Sequence, residues 1–403
     1  METLTSQVCI SGGGPAGLML GYLLARQGVD VVVLEKHADF LRDFRGDTIH
    51  PATLEIFHEL GLADGLLALP HQKTERISVT ISGETVPIAD FTHLPVHHPF
   101  VAMMPQWDLL DFLADEARKF PNFRLLMSTE AQGLTETGGR ITGLRATGPD
   151  GPLEIRADLV VAADGRSSAL RDASGLAVED IGAPVDVFWM RLDRAANAGN
   201  ESLGRISEDG MLVLINRGDY WQGALPLPKG SADTIRAQGL RAFQDRIRRI
   251  APFLEDAPDA LTSWDQVKLL TVQVNHMPTW WRPGFLCIGD AAHAMSPVGG
   301  VGINLAVQDA VAAARILGPL IGKGPVPDGA LAAVQKRRHW PARMVQRAQV
   351  LAHRIVLVPA ITAKGPPKVP ALMRLFQWLP WLRRLPARAI GLGLRPEHWP
   401  PEK

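Results

Sequence analysis

Three short motifs carry residue types able to hold a dinucleotide or a flat aromatic cofactor. The first is Gly12-Gly13-Gly14-Pro15-Ala16-Gly17, a G-x-G-x-x-G pattern, with Glu35 standing 18 residues after its last glycine. Gly12 permits a tight turn, Gly14 lets backbone approach a pyrophosphate, and Gly17 lets a helix pack closely on a strand. A helix opening at Pro15 and Ala16 offers free N–H groups and positive potential to phosphates. Glu35, followed by Lys36, can accept hydrogen bonds from a ribose 2′-hydroxyl. Its carboxylate repels a 2′-phosphate, so the spacing points to FAD or NAD rather than NADP at this site; the bland alternative is a glycine turn that binds nothing. The second motif is Asp164-Gly165-Arg166, which taken alone reads as an ordinary turn. The third runs from Gly289-Asp290-Ala291-Ala292-His293 through Pro297 and Gly299-Gly300-Val301-Gly302-Ile303-Asn304 into an apolar helix. The N-terminus of that helix would present about half a positive charge to an anionic ring. His293 reads as a local hydrogen-bonding residue rather than a catalyst.

These motifs need strands and helices to position them. Residues 7–11 read as a strand, 18–28 as a helix ending at Gly28, and 29–34 as a second strand, the length of one βαβ unit. Both strands are almost wholly apolar, as in a parallel sheet covered on both faces. Residues 157–164 and 284–289 are further apolar strands, so Asp164 and Asp290 stand at strand ends, where open α/β sheets bind ligands. Residues 77–89 alternate like a single strand, and 186–227 are rich in β-formers, as expected of a second domain.

Composition narrows the class. The chain has 403 residues, 46% hydrophobic and 21% charged, which excludes a disordered or collagen-like chain. Cys9 and Cys287 both lie in apolar strands, so a reducing, cytoplasmic compartment is expected and no disulfide framework. The N-terminus lacks a basic leader with an apolar core, and no run of 18 uninterrupted apolar residues suggests a spanning helix. Formal net charge is zero, yet residues 335–403 hold 14 Lys and Arg against Glu397 and Glu402. Such a tail is expected to dock on its own acidic body or on a second copy in a homodimer. Nucleic acid is not expected, because the basic residues alternate with Leu, Trp and Pro and match no nucleic-acid module. The run Ala371–Arg388 could also lie on a membrane surface, a reading weakened by Pro380 and Pro386.

In this order along the chain, the three motifs resemble those of the p-hydroxybenzoate-hydroxylase-like family of single-component flavoprotein monooxygenases. The resemblance covers about residues 1–355 and implies an α/β fold. A Rossmann-like FAD-binding domain (1–75, 98–178 and 265–330) would carry an inserted β-sheet substrate domain (76–97 and 179–264). A helical, basic region (331–403) would follow. It implies that Gly12, Gly14, Pro15, Ala16, Gly17, Glu35 and Lys36 hold the ADP half of FAD. Asp164 and Arg166 would serve the pyrophosphate and NAD(P)H, and Asp290 the ribityl chain. Arg45, in Phe44-Arg45-Gly46-Asp47, matches the family's mobile arginine, and Gln106 its flavin-contacting glutamine. Pro297, with Gly299, Gly300, Gly302, Ile303 and Asn304, would line the isoalloxazine, with Arg45 and Pro297 placed catalytically. The implied reaction uses NADH or NADPH and O2 to hydroxylate an aromatic or polyketide-like substrate through a flavin hydroperoxide. The rival on the same fold is a flavin-dependent reductase or dehydrogenase without oxygen insertion; a binding protein without turnover is a weaker one.

Strand alternation suggests Trp189, Met211 and Trp221 as the substrate wall, although each could equally be plain sheet core. The chain's two tyrosines, Tyr22 and Tyr220, offer no match for the phenol-relay pair of the family's name-giving member. A larger aromatic or polyketide therefore fits better than p-hydroxybenzoate. His93, His97 and His98 lie in a proline-flanked connection without evident carboxylate partners, and no metal is expected there.

Overall fold

The computed structural model describes residues 2–41, 48–195, 203–362 and 365–400. Two sheets dominate it. The first holds five parallel strands in the order Phe285–Cys287, Gly151–Ala162, Glu2–Ser11, Val31–Leu34 and Phe123–Leu126. Val8, Cys9, Ile10, Val31, Val32, Val33 and Val160 are fully buried, because helices cover both faces. One cover is the helix Pro15–Arg26, which packs against the helix Gly302–Leu317. The N-terminal strand begins at Glu2, five residues before the expected start, where its outer residues are exposed and polar. The strand expected over residues 157–164 starts earlier, at Gly151, and ends at Ala162.

The second sheet has seven strands, in the order Val267–Leu270, Val185–Asp193, Tyr220–Pro228, Gly210–Asn216, Leu203–Ser207, Arg76–Ile81 and Glu84–Asp90. The alternating run 77–89 is therefore a hairpin rather than one strand. Ser82 (φ 47°) and Gly83 (φ 87°) make the turn, and the apolar positions change phase across it, from Ile77, Val79 and Ile81 to Val86 and Ile88. The helix Leu240–Ile250 covers one face of this sheet and completes a core of Phe188, Met190, Leu212, Trp221, Phe243 and Ile247.

One window, Val298–Leu320, is apolar and long enough to cross a membrane, but 72% of it is buried inside the protein as a core helix. The helix Asp328–Ala352 runs on into a π-helical turn, His353–Leu357. Both cysteines are buried free thiols, and burial pushes both well above the usual thiol range.

Candidate cofactor and substrate site

The site arises from strand register. Ser11 lies opposite both Leu34 and Ala162, and Ala162 lies opposite Cys287. The chain therefore leaves four adjacent parallel strands at one level. One to three residues later come Gly12, Glu35, Asp164 and Asp290, all at the carboxyl edge of the sheet.

Three glycines of the first motif meet three different surroundings. Gly12 has φ +107°, and a Cβ there would stand 2.4 Å from the Ala163 carbonyl oxygen. A Cβ on Gly17 would stand 1.9 Å from the Gly12 carbonyl oxygen. A Cβ on Gly14 would meet nothing within 4 Å, so that side of its backbone faces open space at the start of the helix Pro15–Arg26. Among the described residues no side chain caps that helix, which leaves its first N–H groups for a ligand. Glu35 is 9% exposed; it accepts from the Gly13 N–H at Oε2 (3.1 Å) and from the His37 N–H at Oε1 (3.1 Å). Lys36 follows it on the exposed side.

The second and third motifs, far apart in sequence, meet in space. Arg166 Nη2 lies 3.5 Å from Asp290 Oδ2. Burial pushes the Asp164 carboxyl above its ordinary range, against the opposing hydrogen bonds from Ser168 and Leu170. Arg171, which no sequence motif marks, ties these motifs together. Its buried guanidinium donates to the carbonyls of Ala291 (3.3 Å) and Arg166 (3.1 Å). Buried Asp164 Oδ1, Arg166 Nη1 and Asn304 Nδ2 have no hydrogen-bond partner among the described residues. Buried polar atoms of this kind need partners. Together with the open face of Gly14, they fit a polar, phosphate-bearing cofactor laid across the strand ends.

Gly299 (φ +81°) and Gly300 (φ +61°) carry the chain past Thr48, whose Oγ1 donates to the Gly300 carbonyl at 2.7 Å. A Cβ on Gly302 would meet nothing within 4 Å, and this residue opens the helix Gly302–Leu317. Asn304 Oδ1 instead anchors the neighbouring helix Pro51–Glu59, accepting from the His50 N–H (3.3 Å) and from Thr53 Oγ1. Ile303 is buried beside it in the main core. The segment around Pro297 is gripped from the long C-terminal helix. Gln349 donates to the carbonyls of Ser296 (2.9 Å) and Val298 (2.8 Å), and His353 Nε2 bonds Ser296 Oγ at 2.7 Å. Neither residue stood out in the sequence, because their helix looks like a generic amphipathic one.

His293 joins a buried chain of charges. Its Nε2 contacts Asp309 Oδ2 at 2.6 Å, and that oxygen also accepts from the Gly289 N–H at 3.1 Å. Asp309 Oδ1 accepts from Arg338 (3.0 Å), and Arg338 reaches Glu397 at 3.3 Å. Asp309 and Arg338 are wholly buried, and Glu397 is 2% exposed. Burial pushes the Asp309 carboxyl up, but His293 and Arg338 outweigh it and hold it below the ordinary range. The tail thus docks on the body through opposite charges at the edge of the third motif.

Gln106 opens the helix Gln106–Arg118, directly after a short strand, Val101–Met103. Beside it lies a cavity of about 240 Å3 lined by His71, Met103, Trp107 and Asp108 on one side and, on the other, by Tyr220 of the second sheet and Arg217 of the turn before it. Burial and Asp111 raise the Asp108 carboxyl, and Arg217 opposes them. Arg45 lies outside the described residues.

The three wall candidates do not converge. Trp221 lies opposite Leu192, whereas Trp189 lies opposite Ala224, so the two indoles point to opposite faces of the sheet. Trp221 is 1% exposed, packed edge-on to Phe253 under the covering helix, and is core rather than wall. Its neighbours Tyr220 and Gln222 take the other face. Arg217 Nε donates to Gln222 Oε1 at 3.0 Å, and Arg191 stacks over the Tyr220 ring at 4.1 Å. Trp189 clusters with Val187, Val213 and Ala224, and Met211 packs with Ile81, Val86 and Ile206. In the histidine cluster, Glu55 supplies a carboxylate that the sequence did not reveal, 2.9 Å from His97 Nδ1, while His97 stacks on His58 at 3.6 Å. Among the described residues no group of three ligating side chains is placed to hold a metal.

Comparison with known proteins points the same way as the geometry. A family model described as an FAD binding domain matches residues 5–348. The chain is 33% identical over 354 residues to a 6-methylpretetramide 4-monooxygenase of Streptomyces rimosus, covering 87% of this chain and 84% of that one. It is 26% identical to a dialkyldecalin synthase of Streptomyces rugosporus, covering 83% and 70%. The fold matches the crystal structure of p-nitrophenol 4-monooxygenase PnpA from Pseudomonas putida DLL-E4, with TM-score 0.75 at 21% identity over 96% of this chain and 94% of that one.

Proposed function

The chain belongs to the FAD-binding family of p-hydroxybenzoate-hydroxylase-like flavoprotein monooxygenases, and from that premise we propose that it hydroxylates an aromatic or polyketide-like substrate with NAD(P)H and O2. The observation that carries this reading is the in-register exit of the motifs from adjacent parallel strands, with Arg166 and Asp290 paired between two of them. Bound FAD supplies acceptance of two electrons from the nicotinamide and activation of O2.

The protein's part is binding, orientation and dryness. Gly12, Gly14, Pro15, Ala16 and Gly17 shape the pyrophosphate turn, and Glu35 presents its remaining lone pairs to the ribose, with Lys36 alongside. Asp164, Arg166 and Asp290 would hold the central part of the cofactor. Gln106, Pro297, Gly299, Gly300, Gly302, Ile303 and Asn304 would frame the ring, and Arg45, the match to the family's mobile arginine, would serve its reduction. The substrate domain spans residues 76–97 and 179–264. Its substrate lies between Pro297 and the sheet face bearing Trp189, Val213, Tyr220 and Gln222, and enters through the cavity at His71, Asp108 and Arg217. The reading of a cytoplasmic enzyme rests on two free, buried cysteines.

An absorbance spectrum of the purified protein, followed by NADPH or NADH oxidation in air with a panel of polycyclic phenols, tests this. The expected result is a flavin spectrum and one compound that both stimulates oxidation and gains one oxygen atom by mass. Bound flavin with a substrate transformed but no oxygen gained would replace hydroxylation with non-oxygenating chemistry. Failure to bind FAD would overturn the cofactor assignment.

A further inference from the structure

Residues 371–391 fold as two short helices, Ala371–Trp378 and Arg384–Gly391, joined by the turn Pro380–Arg383. Both rest on the strand Glu84–Asp90. Ala387 and Gly391 face inward, where Gly391 abuts Phe91 and Leu94. The opposite side is apolar and open. Trp378 is 77% exposed, Trp381 57% and Leu385 61%, with Leu375 and Leu379 partly exposed beside them. Arg374, Arg384 and Arg388 are exposed among these side chains. No acidic residue occurs between Ala371 and Pro396. On neighbouring elements, Glu84 bonds Gln377 (3.0 Å), Asp90 is tied to Arg76 and Thr92, and Glu397 is buried among arginines.

We propose that this face docks on an anionic lipid surface. Tryptophan and leucine favour the water–lipid boundary, and arginine pairs with lipid phosphate. A protein-binding patch concentrates its apolar residues and rings them with polar ones. Here Arg374 precedes the two indoles and Arg384 and Arg388 follow them, so exposed cations flank the apolar side chains along a segment without a carboxylate, the composition of a surface-lying helix. Pro380 and Pro386 keep each helix short. Eight residues of helix reach about 12 Å, well under the roughly 30 Å of a hydrocarbon core, so the segment lies on the bilayer and does not cross it.

The test is vesicle flotation of the FAD-loaded full chain. Neutral phosphatidylcholine vesicles are compared with vesicles containing about one-third phosphatidylglycerol. The protein is expected to float with the anionic vesicles only and to be released by salt near 0.5 M, where screening is strong. A W378S/W381S double variant should lose at least about tenfold in vesicle affinity while keeping its flavin content and unfolding temperature. Absence of flotation, or equal flotation of the variant, overturns the proposal. So does micromolar self-association without lipid that the variant abolishes, because the face then belongs to a second copy of the chain.

Discussion

The cofactor edge and the substrate face place their functional groups by different means. At the edge, backbone does the placing: strands in register end at one level, and Gly12, Gly14 and Gly17 decide where chain and ligand can touch. On the seven-stranded sheet, side-chain alternation does it, so a step of one residue moves a group from wall to core. Tyr220 and Trp221 show the consequence: neighbours in sequence, one half-buried by the cavity and the other packed beneath a helix. Backbone placement tolerates almost no added atom, whereas side-chain placement tolerates substitution on one face and not on the next.

The largest effect should come from adding atoms where backbone does the placing. Gly17→Val puts two methyl groups beyond a Cβ already 1.9 Å from the Gly12 carbonyl oxygen, and should cost about 3 kcal/mol or more. Little folded holoprotein should be recovered. Gly14→Ala adds its methyl to open space and should keep the fold while weakening FAD binding. Flavin titration with thermal unfolding separates the two, and equal thermal losses in both variants would break the contrast.

Next is the buried charge chain, which supports the edge from beneath. Asp309→Ala leaves Arg338 buried without its closest carboxylate and should cost about 3–5 kcal/mol by denaturant unfolding. Because the folded Asp309 carboxyl is held low, its contribution is complete above the ordinary carboxylate value near 4 and is lost as pH falls below it. A variant within 1 kcal/mol of wild type would show that the chain bears little of the fold.

The substrate face should split cleanly between neighbours. Trp221→Ala should cost about 3–5 kcal/mol of stability through the cavity it leaves, with KM for the aromatic substrate little changed. Tyr220→Ala should do the reverse, raising KM while stability moves within about 0.5 kcal/mol. Matching effects from both would mean that the register does not divide wall from core.

How much of this was legible in sequence follows the same division. Glu35, Asp164 and Asp290 could be placed because each follows an apolar run that reads as a buried parallel strand. What could not be read was anything decided between distant segments: which face Trp221 takes, that Arg166 meets Asp290, or that Asp309 and Arg338 form a buried ion pair. Arg171, Gln349 and His353 grip backbone carbonyls and hydroxyls rather than forming a spaced motif, so no local pattern marks them. The hairpin at Ser82 shows in sequence only as a change of phase, from Ile77, Val79 and Ile81 to Val86 and Ile88 across four non-apolar residues, which a reading for alternation alone passes over.

An effect confined to acid pH lies where the two modes of placement meet, at His50. Its ring is 1% exposed, and Nδ1 bonds the Ile390 carbonyl at 2.9 Å, while its backbone N–H donates to Asn304 beside the cofactor edge. Burial pushes its pKa down to about 4, although the Ile390 and Gly300 carbonyls favour the charged ring. Between about 6.5 and 4 the unfolded chain binds a proton that the folded ring refuses. Stability from this group is therefore complete above about 6.5 and drains as pH falls, by at most about 1.4 kcal/mol per unit. Burial also pushes His276 and His353 down, so the acid limb of wild type alone does not isolate His50. The readout is the difference between wild type and His50→Gln, whose amide can still donate to the Ile390 carbonyl but takes up no proton. The variant's stability should fall less steeply between pH 6.5 and pH 4. Parallel curves would mean that His50 accepts its proton without unfolding, and that the contact between the tail and the cofactor edge yields locally instead.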